Sequence, residues 1–457
     1  MRVSYLRWAY SILSICFIVI FSSCAKEGLG EDFQDAHEPN SEFVHAVSID
    51  EAETQLVGLL SDMEEAATRS GEVFAPRKIV SRYSTGTPVA TRTEGEIEPY
   101  VHVFNFANND GFAIMSGDDR VDPLLALTFS GELTPETEVE NPGMIIFLSN
   151  MEELYTNEIK SYDEASSRVA SAGNREVYGP WKSWYYGMYG GNCNVQWSQD
   201  YPYNMYCPLK NGSRTATGCV ATAVAQLMSV YKHPASYGEY TFDWSEMNKH
   251  INSSHAYAPA YSQIARLMQQ LGLSKNLDMK YGLSSEGGSG ANPANIPRTL
   301  KNFGFSNGGS LQGYNTNTVV SELRYGNHVL IGGCQSRTLH KKKFLGITIK
   351  KYYTYSGGHR WLAHGLLERV RTISTYNSDN VLVSEREESV WYPLCNFGWG
   401  GYGDGYYLSG AFDTNKGPAY DWAGPHTRSD AGDTSAENES TPNNFQYNMT
   451  AVIGIRK

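Results

Sequence analysis

The chain has 457 residues, 41% hydrophobic and 19% charged, a globular composition that excludes wholesale disorder and exceeds one ordinary domain. With 44 glycines, 31 tyrosines and 9 tryptophans, a loop-rich fold with substantial β structure is expected rather than a helical bundle. The 37 basic against 49 acidic residues give a net charge of −12, so the basic footprint of a nucleic-acid binder is missing and no such partner is expected.

Arg2 and Arg7 precede an apolar run, Trp8 to Phe21, followed by Ser22-Ser23-Cys24. The run is short of the roughly 20 residues that span a bilayer, and its flanks predict an export signal over residues 1–23. Cys24 after two small residues resembles a bacterial lipobox, with Phe21 where Leu is usual. That implies lipidation at Cys24, membrane anchoring at the cell envelope or surface, and a polar tether over 24–41. Ser48-Ile-Asp-Glu predicts a capped helix. Strands at Tyr100–Phe106 and Phe112–Ser116 flank Asn108-Asn-Asp-Gly111, a hairpin turn. A strand at Leu124–Phe129 and a helix at Met144–Tyr162 complete an α+β unit over 42–165. Residues 166–176 are small and polar without apolar period, and predict a linker that Arg168 or Arg175 would make easy to cut.

A second domain is expected over 177–457. Helices are predicted at Val220–Tyr231, stopped by Pro234, and at Ile264–Leu271 and Ile296–Phe303. Strands are predicted at Val329–Gly333, His359–Leu366, Val390–Asn396, Tyr406–Leu408 and Met449–Ile455, with a Gly/Ser loop at Tyr281–Ala291. Lys341–Tyr353 reads as a basic, hairpin-like insertion able to overhang a cleft, and 412–447 as an irregular excursion. Five cysteines, Cys193, Cys207, Cys219, Cys334 and Cys395, remain after the signal. Two disulfides with one free thiol, or five reduced thiols, both fit that count.

The sharpest local feature is Gly218-Cys219 at the start of a helix, where the dipole and unpaired N–H groups favour thiolate. Such a nucleophile needs a base. Gly357-Gly358-His359 supplies one at a strand mouth 140 residues later, and His364, five further on, would face the opposite way by strand alternation. In Asn396-Phe-Gly-Trp-Gly-Gly, Asn396 can orient an imidazole and Trp399 can shield the pair. His328, His340, His359 and His364 have no zinc spacing, so no metal is expected.

Four ordered segments then carry a resemblance: Gln199-Asp-Tyr-Pro-Tyr-Asn, Ala216-Thr-Gly-Cys219-Val-Ala-Thr-Ala, Gly357-Gly-His359 and Asn396-Phe-Gly-Trp-Gly-Gly. The chain over about 42–457 resembles the streptopain family of secreted papain-fold cysteine peptidases. The resemblance implies an α+β fold: a two-lobed catalytic domain, one lobe helical and one of antiparallel β structure, behind a small α+β prodomain. It implies Cys219 as nucleophile, His359 as base, Gln199 with the Cys219 N–H as oxyanion hole, and Asn396 with Phe397 beside the histidine. Phe397 stands where the family usually has Trp, and His364 where an acid is common. Tyr281, Ser284, Ser285, Gly357 and Gly358 are then expected to line a substrate pocket favouring a hydrophobic residue two before the cut. The expected partners are protein or peptide substrates and the chain's own prodomain as inhibitor; no cofactor is required. The mature enzyme is expected to begin between Val169 and Val177. The rivals are a binding protein or adhesin on a degenerate peptidase scaffold, and amide transfer by the same dyad.

Overall fold

The N-terminal helix α1 (Ile49–Ser70) starts as its sequence requires. Ser48 N–H donates to Glu51 Oε2 (2.8 Å) and Glu51 N–H to Ser48 Oγ (3.3 Å), a reciprocal capping box. The computed structural model describes residues 44–70, 76–88, 97–186, 193–249, 259–334, 343–344, 347–349, 358–413 and 449–457. The expected signal, tether and Cys24, together with Gly357 and nearly all of 412–447, lie outside the described residues.

Strands β1 (Ile79–Thr85), β2 (Val101–Phe106), β3 (Phe112–Ser116) and β4 (Leu124–Thr128) form an antiparallel meander, and the two-residue β5 (Glu138–Val139) leads to helix α2 (Pro142–Ser171). The β2–β3 turn fits its sequence: Asn108, Asn109 and Gly111 all have positive φ. Next come β6 (Arg175–Tyr178), β7 (Lys182–Tyr186), the small pair β8 (Leu209–Lys210) and β9 (Ser213–Arg214), and α3 (Cys219–Tyr231). A second small pair, β10 (Ser236–Tyr237) and β11 (Tyr240–Thr241), precedes α4 (Trp244–Met247), α5 (Pro259–Gly272), α6 (Ile296–Asn302), β12 (Asn307–Gly313) and α7 (Thr316–Arg324). The chain ends with β13 (Val329–Cys334), β14 (Lys343–Phe344), β15 (Ile347–Ile349), β16 (Gly358–Tyr376), β17 (Leu382–Asn396), β18 (Gly405–Tyr407) and β19 (Thr450–Arg456).

One twelve-stranded sheet joins both halves of the chain, in the order β1-β2-β3-β4-β18-β17-β16-β13-β19-β12, with β6 and β7 also on β16. Long β16 is its spine: β17 takes one edge, while β13, β7 and β6 take successive stretches of the other. The junction is β4 against β18, with Thr128 opposite Gly405 and Ala126 opposite Tyr407. One core packs α1, α2 and β2–β4 together with Trp361, Tyr392, Phe397 and Tyr407; the other gathers α3, α5 and α6 against Leu330, Leu362 and Val452. Glu42–Lys457 is therefore one compact unit.

Several expectations are corrected. Residues 166–171 are the last turns of α2, and 175–178 are β6, so only Ala172–Asn174 of the expected linker lies outside regular structure. The helix continues on local bonds in place of an apolar stripe: Ser167 Oγ donates to Asp163 O and Ser171 Oγ to Ser167 O, both at 2.7 Å, while Arg168 pairs with Glu164. Within the basic insertion, β14 and β15 pair as a hairpin, and β15 pairs in parallel with β5 of the N-terminal half. Cys193, Cys207, Cys219 and Cys395 are buried free thiols, which excludes the two-disulfide reading, since that would pair at least three of them.

Candidate active site

Helix α3 is mostly apolar, and Cys219 through Ser229 are buried, the polar Thr222, Gln226 and Ser229 included, which makes it the axis of the helical lobe. Its start is fixed by Gly218, at φ 88°, where an added Cβ would lie 2.9 Å from both Met279 Sδ and Ser289 O. Only glycine fits that approach. The preceding turn is tied down on both sides: Thr217 N–H donates to Gln199 O (2.9 Å), and Ser289 Oγ donates to Ala216 O (2.7 Å). Cys219 Sγ lies 3.7 Å from Gly358 O at the mouth of β16. Cys219, Gly358, His359 and Arg360 line one cavity of about 470 Å³ between α3 and the sheet.

The imidazole is turned away from the thiol. On β16, Trp361 belongs to the core shared with α2, and Leu362 to the core around α3. Alternation therefore puts His359 with Trp361 and Arg360 on the Cys219 side. His359 Nε2–H donates to Phe397 O (2.8 Å), its ring lies parallel to Trp361 at 6.1 Å, and Trp399 meets it edge-on at 6.2 Å. Burial depresses the imidazole to a pKa of about 4, against the help of the Phe397 carbonyl. Burial also pushes the Cys219 thiol up, opposed by the Arg360 N–H and guanidinium. Burial thus favours the neutral form of both groups in this arrangement.

Asn396 does not face the imidazole: its Nδ2 donates to Val195 O (2.7 Å) and its Oδ1 accepts from Gly398 N–H (3.0 Å). Phe397 packs edge-on against Trp361 and Tyr407 and covers Gly143 of α2. Tyr281, Ser284 and Ser285 are not among the cavity's lining residues; Gly288, Gly290, Asp278 and Lys280 are. The Tyr281 hydroxyl instead covers Gly272, and Ser284 Oγ donates to Asp200 Oδ1 (2.6 Å). A bulge between Ala363 and Gly365 makes His364 the extra residue in the ladder, so simple alternation does not assign its side chain's face.

Sequence reasoning missed two buried charges. Arg360 is buried and lines the cavity. Asp404 Oδ1 accepts the Phe397 N–H (2.8 Å), and burial pushes its carboxyl up to about 7. Asp404 was signalled only by its place between Gly403 and Gly405 in a turn that returns to Phe397. Among the described residues no group of three or more His, Cys, Asp or Glu side chains could hold a metal, and no helix is long and apolar enough to cross a membrane.

A thiol at a helix start facing a histidine-bearing strand across a cleft defines the papain-like class of thiol sites. Residues 197–407 match the peptidase C10 family and residues 46–155 the Spi protease inhibitor family. The chain thus carries a peptidase C10 domain of the streptopain type behind an Spi-type inhibitor domain. Streptopain of Streptococcus pyogenes is 29% identical over 241 residues, covering 45% of this chain and 56% of that relative. The thiol protease/hemagglutinin PrtT of Porphyromonas gingivalis is 25% identical over 178 residues, covering 36% of this chain and 19% of the relative. The chain therefore spans little more than half of the first relative and about a fifth of the second. Among solved structures, a Prevotella intermedia prointerpain A fragment is similar at TM-score 0.48 and 21% identity, over 82% of this chain and 99% of that one.

Proposed function

We propose that the chain is the inactive precursor of an exported cysteine endopeptidase, held at the cell envelope through a lipid on Cys24. The observation that carries this is Cys219 at the start of α3, sharing one cleft with Gly358 and His359. Catalysis needs the imidazole to leave Phe397 O and turn toward Sγ. Because Nε2 carries the proton donated to that carbonyl, Nδ1 is the nitrogen that can take the thiol proton. The thiolate then attacks a peptide carbonyl, and the Cys219 N–H with the Gln199 amide holds the oxyanion. The imidazolium protonates the leaving amine, and water hydrolyses the thioester. The N-terminal domain holds the site latent: it packs against Phe397, whose carbonyl keeps His359 turned away.

Cys219→Ala should abolish hydrolysis of protein substrates and leave the fold intact, read by fragment masses and thermal melting; full activity of that variant would refute the assignment. A peptidyl thiol-directed electrophile should label Cys219 faster once the N-terminal domain is removed. A folded, processed chain with an inert Cys219 would instead be a binding protein on this scaffold. Transfer to an added amine in place of hydrolysis would mark amide-forming chemistry.

A further inference from the structure

Two of the contacts that hold the His359 imidazole come from one loop. Phe397 O takes its Nε2–H at 2.8 Å and the Trp399 ring meets it edge-on, and both lie in the return from β17 to β18. The β17–β18 ladder ends with Cys395 opposite Gly405. Asp404 carries the closure one step further: its Oδ1 accepts the Phe397 N–H (2.8 Å), and its own N–H donates to Gly401 O (3.1 Å). Three more ties reach this loop from the N-terminal domain. Ser130 Oγ donates to Gly401 O, Asn141 Nδ2 to Tyr402 O (2.6 Å), and Phe129 N–H to Asp404 O (2.8 Å). All three leave with that domain. The Tyr407 hydroxyl on Gly403 O and a long bond from Gly400 N–H to Trp197 O (3.4 Å) stay, but neither reaches Phe397. The Asp404 carboxylate stays and does.

We propose that Asp404 is a positioning residue for His359: by holding the Phe397 N–H it fixes the loop that carries Phe397 O and Trp399, and with it the place where the imidazole works once the N-terminal domain is gone. This rests on the peptidase reading above. The loop uses the hydrogen bond and not the charge. Asp404 is buried at 7% exposure, no cation pairs with it among the described residues, and burial pushes its carboxyl up to about 7. The titratable groups that feel it are the buried Cys193 and Cys395 thiols and the Tyr407 hydroxyl, none of which carries positive charge. The imidazole is shifted by burial, the Phe397 carbonyl and Arg360, and not by this carboxylate. A neutral amide of the same shape therefore keeps what the loop needs, whereas a shorter side chain leaves the buried Phe397 N–H without its acceptor. Misplacing a catalytic base by about 1 Å slows the chemistry by about 100-fold.

The test measures kcat and KM separately on a fluorogenic peptide that wild type cuts, with thermal melting as the check on folding. Each enzyme is the active species obtained from the full chain by limited digestion of its N-terminal domain, as wild type, Asp404→Asn, Asp404→Ala and Asp404→Glu. Asp404→Ala should lower kcat about 10- to 100-fold with KM little changed, the range for leaving a buried donor unpaired. Asp404→Asn should stay near wild type, because its amide oxygen takes the same bond. Asp404→Glu keeps the charge but displaces the acceptor, so its kcat should fall with that of the Ala variant. A folded Ala variant with wild-type kcat overturns the inference, and so does a loss confined to KM. An Asn variant that falls as far as Ala, or a Glu variant that does not fall, also overturns it, and these two arms decide the matter should Ala fail to fold. Failure of wild type to cut any peptide refutes the peptidase reading itself; cleavage by wild type with an indifferent Asp404 refutes this inference alone.

Discussion

Phe397 is held at both of its backbone polar groups, with its N–H on Asp404 and its carbonyl on His359 Nε2–H. These two partners titrate with opposite effect. His359 has a folded pKa of about 4 against 6.5 unfolded, so between those values the unfolded chain binds more protons and stability falls as pH drops. Asp404 is raised from 3.8 to about 7, so in that window the folded chain binds more protons and stability falls as pH rises. Each contribution is worth up to roughly 3–4 kcal/mol across its window, at 1.36 kcal/mol per pKa unit. Urea midpoints between pH 4 and 7 should separate them. Asp404→Asn should leave a curve that climbs more steeply with pH, and His359→Asn one that climbs less or descends; parallel curves would mean that neither group titrates as its burial requires. The placement of Cys219 at a helix start and of His359 at a strand mouth beside one cavity was legible in the sequence from the glycines that precede them. Asp404 and Arg360 were not, because one depends on a turn that returns to Phe397 and the other on which face of a strand it takes. The roles expected of Asn396 and of Tyr281, Ser284 and Ser285 also depend on side-chain direction, and here those side chains point elsewhere.

Between elements, the first turn of α2 meets the loop that carries Phe397. Asn141 caps the helix through Gly143 N–H (2.9 Å) and sends its Nδ2 to Tyr402 O (2.6 Å), while Met144 packs on Gly403. The contact is too close for a side chain at Gly143, where a Cβ would lie 2.0 Å from the Phe397 ring. Gly143→Val should therefore force the helix start off that ring, at an overpacking cost of about 1–3 kcal/mol. In the unprocessed chain, labelling of Cys219 by a peptidyl electrophile should rise about tenfold or more, at the tenfold per 1.4 kcal/mol that such a cost implies. Unchanged labelling in a folded variant would show that this contact does not hold the site latent. The same elements show where pattern reading ends. The β2–β3 hairpin was legible from Asn-Asn-Asp-Gly, and α3 from its mostly apolar run between Gly218 and Pro234. The last turns of α2 lack such a run, and β6 and β7 are strands only because β16 offers them an edge.

At the scale of the whole molecule, the Spi-type N-terminal domain and the C10-type domain share a sheet and a core, and this determines what a single cut can do. Between α2 and β6 only Ala172–Asn174 lies outside regular structure, and all three carry at most partial cover. Arg168 is in the helix and Arg175 is paired on β16, where its guanidinium also stacks on Tyr376. Cleavage should therefore fall within or beside 172–174, inside the window expected for the mature start, and β6 should stay with the peptidase. Such a nick severs none of the other ties. The β4–β18 ladder, Asn150 Nδ2 to Ala411 O (2.7 Å), and buried Asp122 beside Arg369 (3.8 Å) all remain. So does the apolar core common to Leu127, Phe147, Trp361 and Phe397. Removing that core from water is favourable by about 25 cal/mol per Å², and a nick does not return it. The two fragments should co-elute at neutral pH with Cys219 still slow to label, and activity should rise only as the N-terminal fragment is digested further. The mass of that fragment would also report whether Cys24 bears a lipid. Spontaneous separation on nicking, with activity appearing at the rate of the first cut, would mean that the covalent link and not the shared sheet keeps the domain in place.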